Sequence, residues 1–395
     1  MKAADRVAQQ PSLVIQAFAQ NPRVNMTTVP LSAWAHDHWQ PRAGLTLDLG
    51  LRFDRQRMPA GLPPSSTNFA PRVGLAWRPS GAKSPWVFRA GGGLFFDRYP
   101  LAWLTDALQK DGARGFEIVN GSRAIYRASN DFPSTRAAKV TAGVERLLDR
   151  DTTVSLDFSY VRGLHLPRTR NANGTLPALY LLEQTARSTY TGGTLTVNRR
   201  ITREVNFIAT YTAGRTVDDG SDYDEQPHDP LNLRPERALS RQHQLHRVSA
   251  SGLFQIPVED DTPLPAWLRE PLEEITIAPI FNYGAGRPLN ALSASPAAIE
   301  TGAYPLAARP FGLGRNPFYS PPTRSLDLRV FKTLNVKGGR AKWFLGVESF
   351  NILNHTNRLR VSPYYSTGAT RLNNYRGAIE ILNARQIQWF SALEF

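Results

Sequence analysis

Cysteine is missing from all 395 residues, which removes disulfide frameworks, thiolate metal centres and cysteine nucleophiles together. Long apolar runs are missing too. The richest, such as Pro177 to Leu182, falls far short of the roughly 20 residues a membrane-crossing helix needs, so any membrane role has to use strands. After Met1 and Lys2 come Ala3, Ala4, Asp5 and Arg6, which leaves no apolar core for a secretory leader. A compact basic helix is absent as well. The net charge of +14 and pI near 10.2 come mostly from dispersed arginines, among them Arg52, Arg72, Arg89, Arg162, Arg247 and Arg329, so no nucleic-acid partner is expected. Mean hydropathy of −0.35 with 10% aromatic residues is too polar for a helical membrane protein, yet rich in residues that favour strands.

What the chain does contain is alternation. Leu45, Leu47, Leu49, Leu51 and Phe53 fall on one face of a strand, with Thr46, Asp48, Gly50, Arg52 and Asp54 on the other. The pattern returns in Val154, Leu156, Phe158 and Tyr160, and in Leu326, Leu328 and Val330. Further strands are expected at about 31–39, 71–78, 86–96, 138–146, 191–199, 204–214, 247–256, 274–285, 341–352 and 385–395, giving roughly thirteen of the length that crosses a bilayer when tilted. A soluble sandwich shares the period, but connection lengths separate the two. Short links (40–44, 79–85, 147–152, 200–203, 335–340, with 257–273 the longest of its class) alternate with long ones (55–70, 97–137, 163–190, 215–246, 286–324, 353–384), as in bacterial outer-membrane barrels. Trp39, Trp77, Trp86 and Trp343 lie near strand ends, where an interfacial girdle would place them.

The last strand carries Ile387, Trp389, Leu393 and Phe395 on one face, with Phe390 and Ser391 disturbing the pattern. A final strand ending on an aromatic resembles the signal read by the barrel assembly machinery. If residue 395 is periplasmic, the strand at 31–39 also runs inward. An even-stranded barrel then needs another strand, with the alternation of Leu13, Ile15 and Ala17 in 12–20 as one source. The expected organisation is an initial segment of weak strand and loop at 1–30 that opens a fragment. The C-terminal part of an outer-membrane β-barrel follows at 31–395, with no plug domain.

Several stretches resemble the Oar-like TonB-dependent receptors. They include Leu45-Thr-Leu-Asp-Leu-Gly-Leu-Arg-Phe53, Asn68-Phe-Ala-Pro-Arg-Val-Gly-Leu-Ala-Trp77, Arg89-Ala-Gly-Gly-Gly-Leu-Phe-Phe-Asp97, Ser159-Tyr-Val-Arg-Gly163, Thr216-Val-Asp-Asp-Gly-Ser221, Arg234-Pro-Glu-Arg-Ala-Leu-Ser240, Gly284-Ala-Gly-Arg-Pro288 and Glu348-Ser-Phe-Asn-Ile-Leu-Asn354. Similarity runs from about residue 12 to the end and rests on the order of the stretches. The fold class expected is all-β: part of a large antiparallel transmembrane β-barrel of TonB-dependent-receptor type. The resemblance implies a plugged barrel facing outer-membrane lipid and lipopolysaccharide, coupled to the TonB complex only through an N-terminal region outside these residues, and the large loops suggest capture of a bulky ligand. A passive porin or structural surface barrel, and a soluble all-β binding module, are the alternatives.

No enzyme activity, catalytic residue or cofactor is expected. His36 and His38 share a strand face and are a candidate metal pair, but no third ligand stands nearby in sequence. His228, His243 and His246 match no metal spacing. Gly91 to Gly93 lack the helix and Lys-Ser/Thr pair of a phosphate loop, so close approach of strands or plug explains them better. Asp218, Asp219, Asp222, Asp224 and Glu225 form the densest acidic cluster. They are a candidate ligand loop, with Asp222 and Asp224 as candidate cation ligands, although the spacing misses that of an EF-hand. Glu348, Asn351 and Asn354 are candidates for the lumen or plug-facing surface.

Overall fold

The computed structural model describes residues 14–18, 24–64, 67–119, 122–175, 177–202, 205–256, 271–293, 313–336, 341–367 and 370–395, with the single residues 258, 265, 267 and 309. Thirteen strands among them form one antiparallel wall: β1 (Val29–Arg42), β2 (Leu45–Arg57), β3 (Asn68–Trp77), β4 (Trp86–Phe96), β5 (Arg136–Leu147), β6 (Thr152–Asn171), β7 (Ala178–Arg200), β8 (Val205–Asp218), β9 (His246–Gln255), β10 (Ile275–Gly284), β11 (Thr323–Val336), β12 (Ala341–Phe350) and β13 (Gln386–Glu394). Each pairs with the next in chain order. All thirteen coincide with the strands expected from alternation.

Register shows why the pattern folds this way. Residues directly opposite on neighbouring strands share a face, and one such row runs Leu45, Trp77, Phe88, Val144, Leu156, Leu195, Tyr211, Val248 and Tyr283 across nine strands. A row on the other face reads Glu145, Ser155, Thr196, Thr210, Ser249, Asn282 and Ser325. Along these rows one face is apolar and the other polar. A slip of one residue at any pair would mix them. Leu49, Val73, Val140, Leu156 and Trp389 on the apolar face are exposed, and no helix among the described residues is long and apolar enough to cross a membrane.

The wall's connections are short at one end and long at the other. The hairpin 43–44 closes tightly, with Gly44 at φ +81°; a Cβ there would meet the Arg78 carbonyl at 2.5 Å, so glycine is required. Both β1 and β13 run toward the short-turn end. They cannot pair antiparallel with each other, and among the described residues the only ladders they form are β1 with β2 and β13 with β12.

The long connections hold structure that alternation did not reveal. Residues 163–190, expected as a loop, continue β6 and β7 as a protruding hairpin. The register shifts between Glu183 and Ser188, and His165 takes φ 56°, a local irregularity that bends strands without ending them. The segment 97–135 carries α1 (Leu101–Gln109) and the short strands Gly115–Val119 and Ser122–Ala128; the second lies parallel to the start of β7. A strand does form within 12–20, but Val14–Phe18 pairs with Gly115–Val119 in this layer instead of joining the wall. The helix buries Trp103, Leu104, Ala107 and Leu108, a one-sided spacing. Trp103, Leu104 and Ala107 pack with Tyr99, Tyr126, Phe132, Tyr180 and Leu182. This buried apolar cluster sits in the loop layer and not in the wall. The Trp103 indole also donates to Thr169 Oγ1 at 2.9 Å, fixing the helix to the hairpin.

Candidate functional site

Two places gather polar chemistry: the wall's polar face and the loop layer over its long-connection end. On the polar face most arginines are neutralised. Arg52 pairs with Asp54 at 2.9 Å, Arg89 with Glu145 at 2.9 Å and Arg329 with Glu348 at 2.8 Å. Arg72 lies 4.5 Å over the Phe95 ring. It crosses Gly93, where a Cβ would stand 2.8 Å from the Pro71 carbonyl and 2.9 Å from Arg72 Cγ; the glycine run is thus a matter of close strand and side-chain approach. Glu348 also accepts from Gln388, and Arg329 lies 4.1 Å over Phe390. That seat accounts for the interruption at Phe390. Ser391, on the apolar face, accepts from the Trp343 indole at 2.8 Å.

His36 and His38 share the polar face, and Asp48 stands opposite His38. His38 Nδ1 is 2.8 Å from Asp48 Oδ1 and His36 Nε2 is 3.5 Å from it, while Gln40 meets His38 at 3.2 Å. These groups satisfy one another. Among the described residues no set of three or more His, Asp or Glu is arranged to hold a metal ion, and Asp222 and Asp224 are included in that statement.

The acidic loop is largely tied up. Arg315, fully buried, donates to Asp218 Oδ1 at 2.6 Å, to both Glu225 oxygens at 2.8 Å and to Ser221 Oγ at 2.7 Å. Arg168 holds Asp219 at 2.7 Å, and Arg309 pairs with buried Glu236. Arg170 grips Glu183 through two parallel bonds of 2.9 and 3.0 Å, the bidentate geometry that guanidinium and carboxylate favour. Burial pushes the Glu225 carboxyl up, but the Arg315 guanidinium overcomes this and holds it below the usual range. The same pairing raises Arg315 despite its burial. Asp224 is different. It is half-buried with no ion pair among the described residues, and burial plus the neighbouring Asp222 and Asp106 push it up to about 6. Asp222 accepts from the Tyr223 N–H at 2.8 Å and has Arg241 at 3.8 Å.

Asn351 and Asn354 shape the bend after β12, both at φ 50°. The Asn351 amide N–H donates to Asp327 at 2.7 Å, and its side chain donates to the His355 carbonyl at 2.9 Å. Asn354 Oδ1 accepts from the Arg385 N–H at 3.1 Å. Ile387, Trp389 and Leu393 line the apolar face of β13, and Phe395 follows it, 91% exposed. Trp39, Trp77, Trp86 and Trp343 all stand on the apolar face near the short-turn end, with Trp86 and Phe88 stacked at 6.1 Å, an arrangement suited to a membrane interface. Sequence reasoning missed Arg315, Arg168, Arg309 and Trp103. Arg315 and Asp218 are 97 positions apart, and nothing local marks them as partners.

Comparison with known proteins fits this geometry. A family model described as outer membrane beta barrel domain matches residues 55–112 and 107–311. No curated protein matches by sequence. Among solved structures, the outer membrane transporter YddB from Escherichia coli superposes with TM-score 0.60 at 11% identity, covering 93% of this chain and 45% of that one. The FrpB iron transporter from Neisseria meningitidis gives TM-score 0.56 at 14% identity over 94% and 46%. The ferripyoverdine receptor of the outer membrane of Pseudomonas aeruginosa, solved with ferripyoverdine bound, gives 0.59 at 14% identity over 93% and 38%. The chain thus spans less than half the length of these structures, and at such identities the likeness concerns the fold.

Proposed function

The chain belongs to the outer membrane beta barrel domain family, and from that premise we propose that it is the C-terminal barrel portion of a TonB-dependent outer-membrane receptor, of the Oar-like kind, that admits a bulky ligand. The apolar face meets outer-membrane lipid and lipopolysaccharide, the polar face lines the lumen, and the loop layer covers the extracellular mouth. The observation that carries this reading is the division of the wall into an apolar and a polar face, the apolar row running unbroken from β2 to β10, joined to a loop layer locked by buried ion pairs. Matched structures named as transporters and receptors support a capture role over a passive pore.

Free edges support a larger barrel. An unpaired edge in lipid leaves backbone groups without partners, at several kcal/mol each. Because β1 and β13 run the same way, an antiparallel closure takes an odd number of further strands. The apolar series Ile387, Trp389, Leu393 and Phe395 is the assembly signal in this account, and the TonB complex engages a region outside residues 1–395.

The test uses cells expressing the full protein that carries this chain. It should fractionate with the outer membrane and show heat-modifiable mobility, and deleting Phe395 should reduce insertion. Ferric siderophores, beginning with ferripyoverdine, should accumulate in a protonophore-sensitive way if one of them is the ligand. Faster passive entry of nitrocefin on expression would favour the porin reading.

A further inference from the structure

At the extracellular mouth of the lumen, between β8 and β11, lies a cavity of about 520 Å³. Its lining includes Arg247, Arg287, Gln244, Ser249, Asn282 and Thr323, with Arg324 at its edge, and contains, among the described residues, no Asp or Glu. Arg247 stands opposite Thr212 and Gly284, on the polar face. Unlike Arg52, Arg89 and Arg329 it has no carboxylate partner among the described residues, and unlike Arg72 it lies over no ring; the same holds for Arg287. Both side chains are exposed. Guanidinium stays charged at any physiological pH and offers planar forks that match oxyanions, so two of them without counter-charges give this cavity a positive field. Around them stand neutral groups with capacity to spare. Ser249 Oγ donates to Asn282 Oδ1 at 3.0 Å, which leaves the Asn282 amide N–H groups free to donate. Gln244 Nε2 donates to the Ala285 carbonyl at 2.9 Å, which leaves Gln244 Oε1 to accept.

We propose that this cavity is an anion-binding site, in which Arg247 and Arg287 take a carboxylate or phosphate group while Gln244, Ser249, Asn282 and Thr323 bind the hydroxyl groups of the ligand that carries it. The proposal rests on the receptor reading and deepens it by naming the ligand class: anionic and rich in hydroxyls. It also distinguishes this mouth from the acidic loop, whose charges are mostly matched internally.

The test measures binding of three probes to the protein purified from outer membranes: trigalacturonate, glycerol phosphate and neutral maltotriose. At least one anionic probe should bind more tightly than maltotriose and weaken with added salt. It should lose about tenfold in affinity in Arg247→Gln and in Arg287→Gln, the loss expected for a charged hydrogen bond. Which anionic probe binds decides between carboxylate and phosphate. Equal binding of charged and neutral probes, no binding of any probe, or indifference to both substitutions would overturn the proposal. Outer-membrane location and heat-modifiable mobility are checked for every variant. A wild-type protein that fails those checks sinks the barrel reading, whereas correctly inserted protein without selective anion binding sinks only this site.

Discussion

Replacing Arg315 by methionine should open the loop layer while leaving the barrel wall intact. Arg315 is fully buried, and its guanidinium satisfies Asp218 at 2.6 Å and both oxygens of Glu225 at 2.8 Å. Removing one partner of a buried ion pair costs about 3–5 kcal/mol, mainly because the remaining charge is left unpaired; here two carboxylates are stranded. The knot ties one loop to another and to the last residue of β8 and joins no two strands of the wall, so the loss should appear as local opening. Native-state hydrogen exchange of residues 219–245 and 313–322 should quicken by roughly a hundredfold to a few thousandfold, which is that energy expressed as an opening equilibrium. Exchange in β3 to β6 should hold. The dependence on pH gives a second, signed readout. In the wild type the Glu225 carboxyl lies below its usual value of 4.5, so its stabilisation is complete above that value and is lost as pH falls through the lowered one. The intact knot therefore loosens only as pH falls below the ordinary carboxylate value. Without Arg315, burial loses its main opponent and only the Ser221 N–H and Arg241 still favour the charged Glu225, so its carboxyl rises relative to the wild type and the variant should be more open at neutral pH than in acid. Adding Asp218→Asn and Glu225→Gln to Arg315→Met should restore protection. Unchanged exchange in 219–245, or loosening that is greater in acid than at neutral pH, would refute the reasoning.

Three other changes have expected outcomes. Asp224 binds its proton more tightly folded, near pH 6, than at its ordinary 3.8; its penalty is therefore absent below 3.8 and complete above about 6. Asp224→Asn should slow loop-layer exchange at pH above 7 and change little below 4. Leu49→Arg on the lipid face should cost about 2–4 kcal/mol near the bilayer midplane, read as impaired insertion, whereas Thr46→Arg on the lumen face should be mild. Gly93→Ala forces a Cβ to 2.8 Å from the Pro71 carbonyl and should cost about 1–3 kcal/mol, lowering the temperature of the heat-modifiable shift. Gly50→Ala, whose nearest neighbours stand 3.8 Å away, serves as the tolerant control.

The wall was legible because its determinant is local. In Leu45-Thr-Leu-Asp-Leu-Gly-Leu-Arg-Phe53 each side chain's face follows from its position alone, and the same period located all thirteen strands within a few residues, save where β6 and β7 run on past the wall. Their extension over 163–190 escaped notice because it is buried against α1 and Ser122–Ala128 instead of lying between lipid and lumen, so its apolar positions no longer alternate simply. The helix at Leu101–Gln109 is short and starts after Pro100 without a side-chain cap, which leaves few start signals to read. Acidic residues 218–225 were visible as a cluster, but their role depends on Arg315 and Arg168, cations brought in from distant loops. His36 and His38 were correctly placed on one face, while Asp48, which engages both, became apparent only through the pairing of β1 with β2.

The most direct test of the two-faced wall exploits the absence of cysteine. Single cysteines at positions 48 to 52 of β2 can carry nitroxide labels in the protein reconstituted into lipid, and each label's collision rate with oxygen and with a water-soluble nickel chelate can be measured. The account predicts a period of two: oxygen accessibility peaking at Leu49 and Leu51, which lie beside Val73 and Pro71 on the apolar face, and chelate accessibility peaking at Asp48, Gly50 and Arg52. Labels that show no alternation, or that report water at 49 and 51 and lipid at 48, 50 and 52, would contradict it.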